Sequence, residues 1–304
     1  MYILESMIPQ FFILCYGFFM VDLHTHSNIS DGILNPIDLI SYAASQNLKA
    51  VALTDHDTTD GIEAASRQAK IEGIDFVPGV ELTITWPTGE FHLLGLGIKK
   101  VSARLAEITE NLQKDRIERN RHMIEKMQQD GLDVSYEELV SSVDAKCIGR
   151  PHVAEYMMRK KLVRNRQDAF NRYIAKGRPY YVEKAGCNVD ESITAIVESG
   201  AVPVLAHPLS LYVSWGKMKD VLTDLKERGI AGIEAFHPGA KLNDCLRLEE
   251  MGRMLGFCIT AGSDYHGEAV RSDRHMGYTA GNRKIDDKFY YEELKPLIDK
   301  AVLM

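Results

Sequence analysis

The chain of 304 residues, 45% hydrophobic, can bury one large core or two modest ones. Its net charge of -7 argues against a nucleic-acid coat or a membrane-surface binder, while leaving room for a local basic pocket. Five scattered cysteines (Cys15, Cys147, Cys187, Cys245, Cys258) form no close pairs and read as thiols of a reducing, cytoplasmic setting, not a disulfide frame or zinc knuckle.

Residues 1–19 are expected to be an N-terminal extension outside the fold, with Met20 the natural first residue. Ile8 to Met20 is apolar, but no Lys or Arg precedes it and no small-residue cleavage site follows it. The run is also short for a membrane span, and no membrane partner is expected. Val21-Asp22-Leu23-His24-Thr25-His26 reads as a strand, and an extended chain turns side chains at i and i+2 to one face. Asp31 follows in a turn marked by Gly32. Two imidazoles and a carboxylate suit a divalent transition metal, although a lone His-x-His can equally be one packed ring and one solvated ring.

Residues 36–46 read as a helix with Asn35 as N-cap and Ile37, Ile40 and Ala44 as its apolar stripe. A short strand at 48–53 ends in Thr54-Asp55-His56-Asp57. A helix at 61–72, closed by Gly73, leads to a strand at 74–80 that delivers Glu81. A further strand at 91–98 carries His92 near its start. This β-α-β-α order predicts a parallel sheet or an α/β barrel, in which functional groups collect at the carboxyl ends of the strands. His92 sits at the wrong end of its strand for that rule and needs a different local geometry.

Residues 101–184 change texture and read as a helical insertion into an α/β body formed by 20–100 and 185–304. Helices are predicted at 103–130, 135–143, 151–161 and 168–175, with Gly149-Arg150-Pro151-His152 marking a helix start. The alternation then resumes: strands at 202–205, 230–235 and 257–261 end in Ala206-His207-Pro208, Phe236-His237-Pro238 and Ser263-Asp264-Tyr265-His266. Of ten histidines, His24, His26, His56, His207, His237 and His266 fall at or near strand ends. Core histidines have no reason to gather there; metal ligands do.

The ordered set His24-x-His26, Asp31, Thr54-Asp55-His56-Asp57, Gly79-Val80-Glu81, His92, Ala206-His207-Pro208 and Ser263-Asp264-x-His266 resembles the polymerase and histidinol phosphatase (PHP) family of metal-dependent phosphoesterases. The helical insertion with Gly-Arg-Pro-His resembles its branch of nucleoside 3′,5′-bisphosphate phosphatases and 5′→3′ exonucleases on short RNA. The resemblance implies a distorted seven-stranded (β/α) barrel holding three divalent metals, with manganese favoured over zinc, iron or magnesium. It implies His24, His26, Glu81 and Asp264 around the first metal, with Glu81 bridging to a second held by His92 and His207. Asp31, His56 and His266 would hold the third.

His237 and Asp55 are the catalytic candidates beyond the nine: His237 to touch a phosphate or water, Asp55, with Asp57, to orient ligands. A nucleotide or short RNA is the implied partner, with no stable DNA complex. Arg150 is the candidate for a second phosphate because its forked donors match phosphate oxygens; the bland alternative is a helix-end surface charge. Lys184 and His152 are further substrate-binding candidates. Arg116, Arg119 and Arg121 are interleaved with Glu118 and Glu125, and most of them are expected on a solvated face. Phe91, Tyr180 and Tyr181 have the chemistry to stack a base, but aromatics more often pack, and packing is what is expected of them. Rival readings are a histidinol-phosphate-type phosphatase, to which the resemblance gives no such insertion, and a catalytically silent metal-binding regulatory module, which a missing ligand would favour. None is missing.

Overall fold

A computed structural model describes residues 19–143 and 147–303; the expectation for residues 1–18 of the extension lies outside the described residues. Seven strands form one sheet in chain order: β1 (Met20–Asp22), β2 (Leu48–Leu53), β3 (Asp75–Ile84), β4 (Phe91–Leu96), β5 (Val202–Leu205), β6 (Gly232–Phe236) and β7 (Cys258–Ala261). All neighbours are parallel except β4, which runs antiparallel to both β3 and β5. The two edges of the sheet approach at one end, where Leu23 N donates to Ala261 O (3.3 Å) and His26 N to Tyr265 O (2.8 Å). The α/β architecture is thus a mostly parallel, seven-stranded sheet with helices, its end strands joined by loop backbone.

The helices are α1 (Pro36–Ser45), α2 (Ile62–Glu72), α3 (Ala103–Gln129), α4 (Tyr136–Ser141), α5 (Arg150–Arg159), α6 (Arg166–Ala169), α7 (Val189–Glu198), α8 (Trp215–Glu227), α9 (Leu242–Met254) and α10 (Lys295–Lys300). Asn35 caps α1 by accepting from the Ile37 and Asp38 amides, which supplies partners the first turn lacks. Its buried face is Leu39, Ile40 and Ala43, while Ile37 is exposed. Of the predicted stripe, Ile40 is buried, whereas Ile37 is exposed and Ala44 is half-buried.

The reversal of β4 explains His92. In an antiparallel strand the start lies level with the carboxyl ends of its parallel neighbours, and His92 pairs with Thr83 near the end of β3. That same pairing keeps β3 extended to Ile84, so Glu81 lies inside the strand and not just past it. Leu82, Leu93, Leu94 and Leu96 are fully enclosed in the main core. α3 belongs to two cores: Leu105, Ile108 and Leu112 pack on the sheet side. Met123, Ile124 and Met127 pack with Leu139, Val153 and Met157 of the helical segment.

Gly262 follows β7 where the backbone passes the first histidine. A Cβ there would stand 2.3 Å from His24 Cβ and 2.5 Å from Glu234 Oε1. Gly262→Ala is expected to cost about 1–3 kcal/mol, the usual penalty for overpacking. Urea unfolding measures it, and an unchanged midpoint would contradict this close approach.

Candidate metal centre

The structure brings all nine proposed ligands to one buried cluster at the carboxyl end of the sheet. Glu81 is its hub. Its Oε2 lies 3.4 Å from His24 Nε2, 3.3 Å from His26 Nε2 and 2.8 Å from His56 Nδ1. Its Oε1 lies 2.9 Å from His92 Nδ1 and 3.1 Å from His207 Nε2. Asp264 Oδ1 faces His26 Nε2 (3.2 Å), His266 Nδ1 (3.5 Å) and His24 Nε2 (3.6 Å). Asp31 Oδ1 faces His266 Nε2 (3.0 Å) and His56 Nε2 (4.0 Å).

Two carboxylates absent from the sequence reading hold the cluster in shape. Glu234 lies on β6; its Oε1 meets His24 Nδ1 (3.0 Å) and its Oε2 accepts from the His207 amide (2.8 Å). That contact fixes which ring nitrogen of His24 is engaged and leaves Nε2 aimed at Glu81 and Asp264. Asp22 accepts from Ser263 N (2.9 Å), Ser263 Oγ (2.5 Å) and Gly277 N (2.7 Å), tying β1 to the loop that carries Asp264. The readable signal was a carboxylate inside an apolar strand: Val21-Asp22-Leu23 and Ile233-Glu234-Ala235.

The electrostatics follow from burial and mutual charge. Burial pushes Asp22 up to about 6, against its hydrogen bonds. Burial opposes charge on His24, but Glu234 and Glu81 outweigh it and raise the ring to about 10. His26 is held well below the usual histidine range by burial and by His266 and His56 beside it. Burial also lowers His92, to about 4. Glu81 stays ionised well below its usual range because His56, His92 and His24 overcome its burial.

The donor set fits a divalent cation. His24 Nε2, both His26 nitrogens, His56 Nδ1, Asp31 Oδ1 and Glu81 Oε2 are buried without a hydrogen bond, a costly arrangement for polar atoms left alone. Three groups each offer atoms within 4.8 Å of one another: His26, Asp31, His56 and His266; His24, His26 and Asp264; His56, Glu81 and His92. The division differs from the one the resemblance implies, since His26 also joins the Asp31 group and His207 reaches the cluster through Glu81.

Beside the cluster opens a cavity of about 590 Å³, lined by Arg116, Arg119, Arg150, Lys184, His237 and Arg274 among others. Arg150 pairs with Glu90 (2.7 Å) and lies over Tyr181. Lys184 Nζ is 3.3 Å from His92 Nε2, and burial pushes it down to about 8. His237 accepts from Gly239 N at Nδ1 (3.1 Å), so Nε2 carries its proton toward Asp264 Oδ2 (3.3 Å). Arg274 also contacts Asp264 Oδ2.

Several expectations are corrected. Asp55 does not line the cavity, so it makes no catalytic contact there; it accepts from Ser27 N (2.8 Å), Ser27 Oγ (2.6 Å) and Ser30 Oγ (2.6 Å), bracing the turn that presents Asp31, an arrangement consistent with an orienting role. His152 is turned inward, where its Nδ1 accepts from Gly149 N (2.9 Å) and caps α5. Arg116 and Arg119 are buried, not solvated. The face of α3 that carries them crosses the cavity, and Arg116 is anchored by Asp57. Arg121 alone of the three lies elsewhere, over Tyr136. Phe91 and Tyr180 pack, as expected, against Trp86 and Tyr173. Three non-glycine residues lining the cavity, His207, Tyr212 and Asp264, have left-handed backbones (φ 27°, 51° and 50°), each costing about 1–3 kcal/mol.

A sheet of this topology around a His/Asp/Glu cluster has counterparts among characterised proteins. The chain belongs to the PHP domain family, whose domain matches residues 22–183. It is 30% identical over 260 residues to the 3′,5′-nucleoside bisphosphate phosphatase of Chromobacterium violaceum, covering 85% of this chain and 91% of that one. It is 29% identical over 245 residues to the 5′-3′ exoribonuclease of Haemophilus influenzae, covering 81% and 89%. A solved structure from Bifidobacterium adolescentis, described as a metal-dependent phosphoesterase, superposes with a TM-score of 0.79 at 26% identity, covering 90% of this chain and 94% of that one. Both relatives are phosphoester hydrolases that act on nucleotides or RNA. Among the described residues no helix is long and apolar enough to cross a membrane.

Lys184 is a cation held where burial disfavours its charge. Between pH 8 and 10.5 the unfolded chain holds that proton more tightly than the folded one, so this group makes stability rise with pH there. Lys184→Met is therefore expected to raise the melting temperature below pH 8, with the gain fading toward pH 10.5. Calorimetry across that range checks it; a gain independent of pH would assign the effect to packing instead.

Proposed function

We propose that this protein is a metal-dependent phosphoesterase that hydrolyses a terminal phosphate ester of nucleotides, with nucleoside 3′,5′-bisphosphates and the 5′ end of short RNA as its substrates. The observation that carries this reading is the adjacency of two unlike surfaces in one cavity: the His/Asp/Glu cluster, and a wall of Arg116, Arg119, Arg150 and Lys184. Three divalent cations, manganese favoured, fit the chemistry of the nine ligands; each finer assignment, including the number, is part of the proposal. Bound cations supply Lewis-acid charge for the phosphoryl group and an activated water as nucleophile.

The protein's own side chains do the rest. Glu81 and Asp264 provide the negative charge that retains cations, and Glu234 keeps His24 turned to receive one. His237 lines the cavity with its Nε2 proton turned to Asp264 Oδ2, where it holds that carboxylate in place. The basic wall takes the second phosphate. Arg119 is the freest member, since its carboxamide contact with Asn120 (3.0 Å) is no charge partner. Burial, with Arg116 and Arg150 beside it, lowers its pKa to about 9, and an incoming anion relieves that repulsion. Arg150 exchanges Glu90 for phosphate. In this reading residues 101–184 form the recognition segment, and the free thiols Cys147, Cys187, Cys245 and Cys258 suit work in the cytoplasm.

The experiment is to incubate manganese-loaded protein with adenosine 3′,5′-bisphosphate, adenosine 5′-monophosphate, a 5′-phosphorylated RNA trimer and histidinol phosphate. Phosphate release from the nucleotides, abolished by a chelator and restored by manganese, is expected; release from histidinol phosphate alone overturns the substrate assignment. Arg150→Ala should raise KM for the bisphosphate on the order of tenfold, the value of one charge-assisted contact, and leave KM for an aryl phosphate near its original value. Equal effects on both would remove Arg150 from recognition.

A further inference from the structure

One aromatic ring at the cavity has no structural employment. Tyr212 lines the cavity, yet its side chain is 77% exposed. Its ring has neither a hydrogen-bond nor a stacking partner among the described residues, in contrast to Phe91 and Tyr180. A lone exposed tyrosine is ordinary on a protein surface. This one differs in how firmly its backbone is held.

Tyr212 ends the turn Pro208–Leu211 in a left-handed conformation that side chains with a Cβ rarely adopt. The turn is pinned by the β3–β4 connection. Leu211 O accepts from Trp86 Nε1 (3.2 Å) and Thr88 Oγ1 (2.7 Å). Ser210 O accepts from Glu90 N (2.7 Å), while Ser210 Oγ donates to Glu90 O (2.7 Å). The approach is so close that a Cβ on Gly89 would stand 2.0 Å from Ser210 O. A strained backbone fixed on one side and a free ring on the other describe a platform that is presented, not packed. Glu90, which holds this turn, also holds Arg150. Contacts therefore run from the phosphate-binding wall through Glu90 to Ser210, in the turn that carries Tyr212.

We propose that Tyr212 is the stacking platform for the nucleobase of the substrate. The inference rests on the nucleotide reading above and adds to it the group that receives the base. Stacking accepts every base, because each has a π-face, and rewards larger ones. The enzyme should therefore act on all four nucleotides, with purines favoured over pyrimidines.

The test compares adenosine 3′,5′-bisphosphate with ribose 5-phosphate, which carries no base. Tyr212→Ala is expected to raise KM for the nucleotide on the order of tenfold, with kcat and the ribose phosphate kinetics unchanged. Tyr212→Phe should restore the KM. Tyr212→Gly, which suits the left-handed backbone, should keep the melting temperature while losing nucleotide affinity. A Tyr212→Trp variant reads binding without turnover: its fluorescence should be quenched by adenosine bisphosphate and not by ribose 5-phosphate. A nucleotide KM unmoved by Tyr212→Ala, or equal quenching by both ligands, overturns the platform. Wild-type enzyme that hydrolyses neither phosphate overturns the phosphoesterase reading, and the fluorescence titration then still decides whether the ring meets a base.

Discussion

A single carboxylate sealed inside the sheet, that of Glu81, sets the terms for everything around it. A buried negative charge is tolerable only when paired. Among the described residues no lysine or arginine pairs with it; five imidazoles do, divided three to one oxygen and two to the other. Three of the five have a partner for the other ring nitrogen: Glu234 for His24, Lys184 for His92 and Ser210 for His207. The demand spreads outward until it reaches backbone. Asp22 completes it by holding the loop after β7.

What was legible in the sequence was what periodicity and strand ends control. His24 and His26 share a face because extended chain alternates, and His207 and His266 follow apolar runs that could only be buried strands. The exception, His92, was visible as an anomaly, and its cause was not: strand direction is decided by which neighbour pairs with β4, a long-range choice with no local signature. On α1 the stripe placed Ile37 inward in place of Leu39 for a similar reason, since the two are equally apolar and only the packing partner distinguishes them.

The substrate side was less readable. Arg116 and Arg119 alternate with acids as a solvated helix would, yet the helix passes over a cavity, and helical period cannot tell water from a pocket. Asp55 and His152 look like reactive groups by type and position. Both are engaged in holding structure, Asp55 through the Ser27 amide and the Ser27 and Ser30 hydroxyls in the turn before Asp31, His152 through the Gly149 amide at the start of α5. The overall charge of -7 left room for a basic pocket without locating it, because net charge sums over the surface and says nothing about where the guanidiniums gather.

The tie between Asp22 and Ser263 spans 241 positions, and that from Asp22 to Gly277 spans 255. A ribosome emits residues in order, so the carboxylate of the first strand waits through 241 and 255 further positions before it finds these partners. Contacts of such long sequence separation form late. The loop that carries Asp264 is correspondingly late to settle, and an incompletely translated fragment carries the early histidines without the geometry that gathers them.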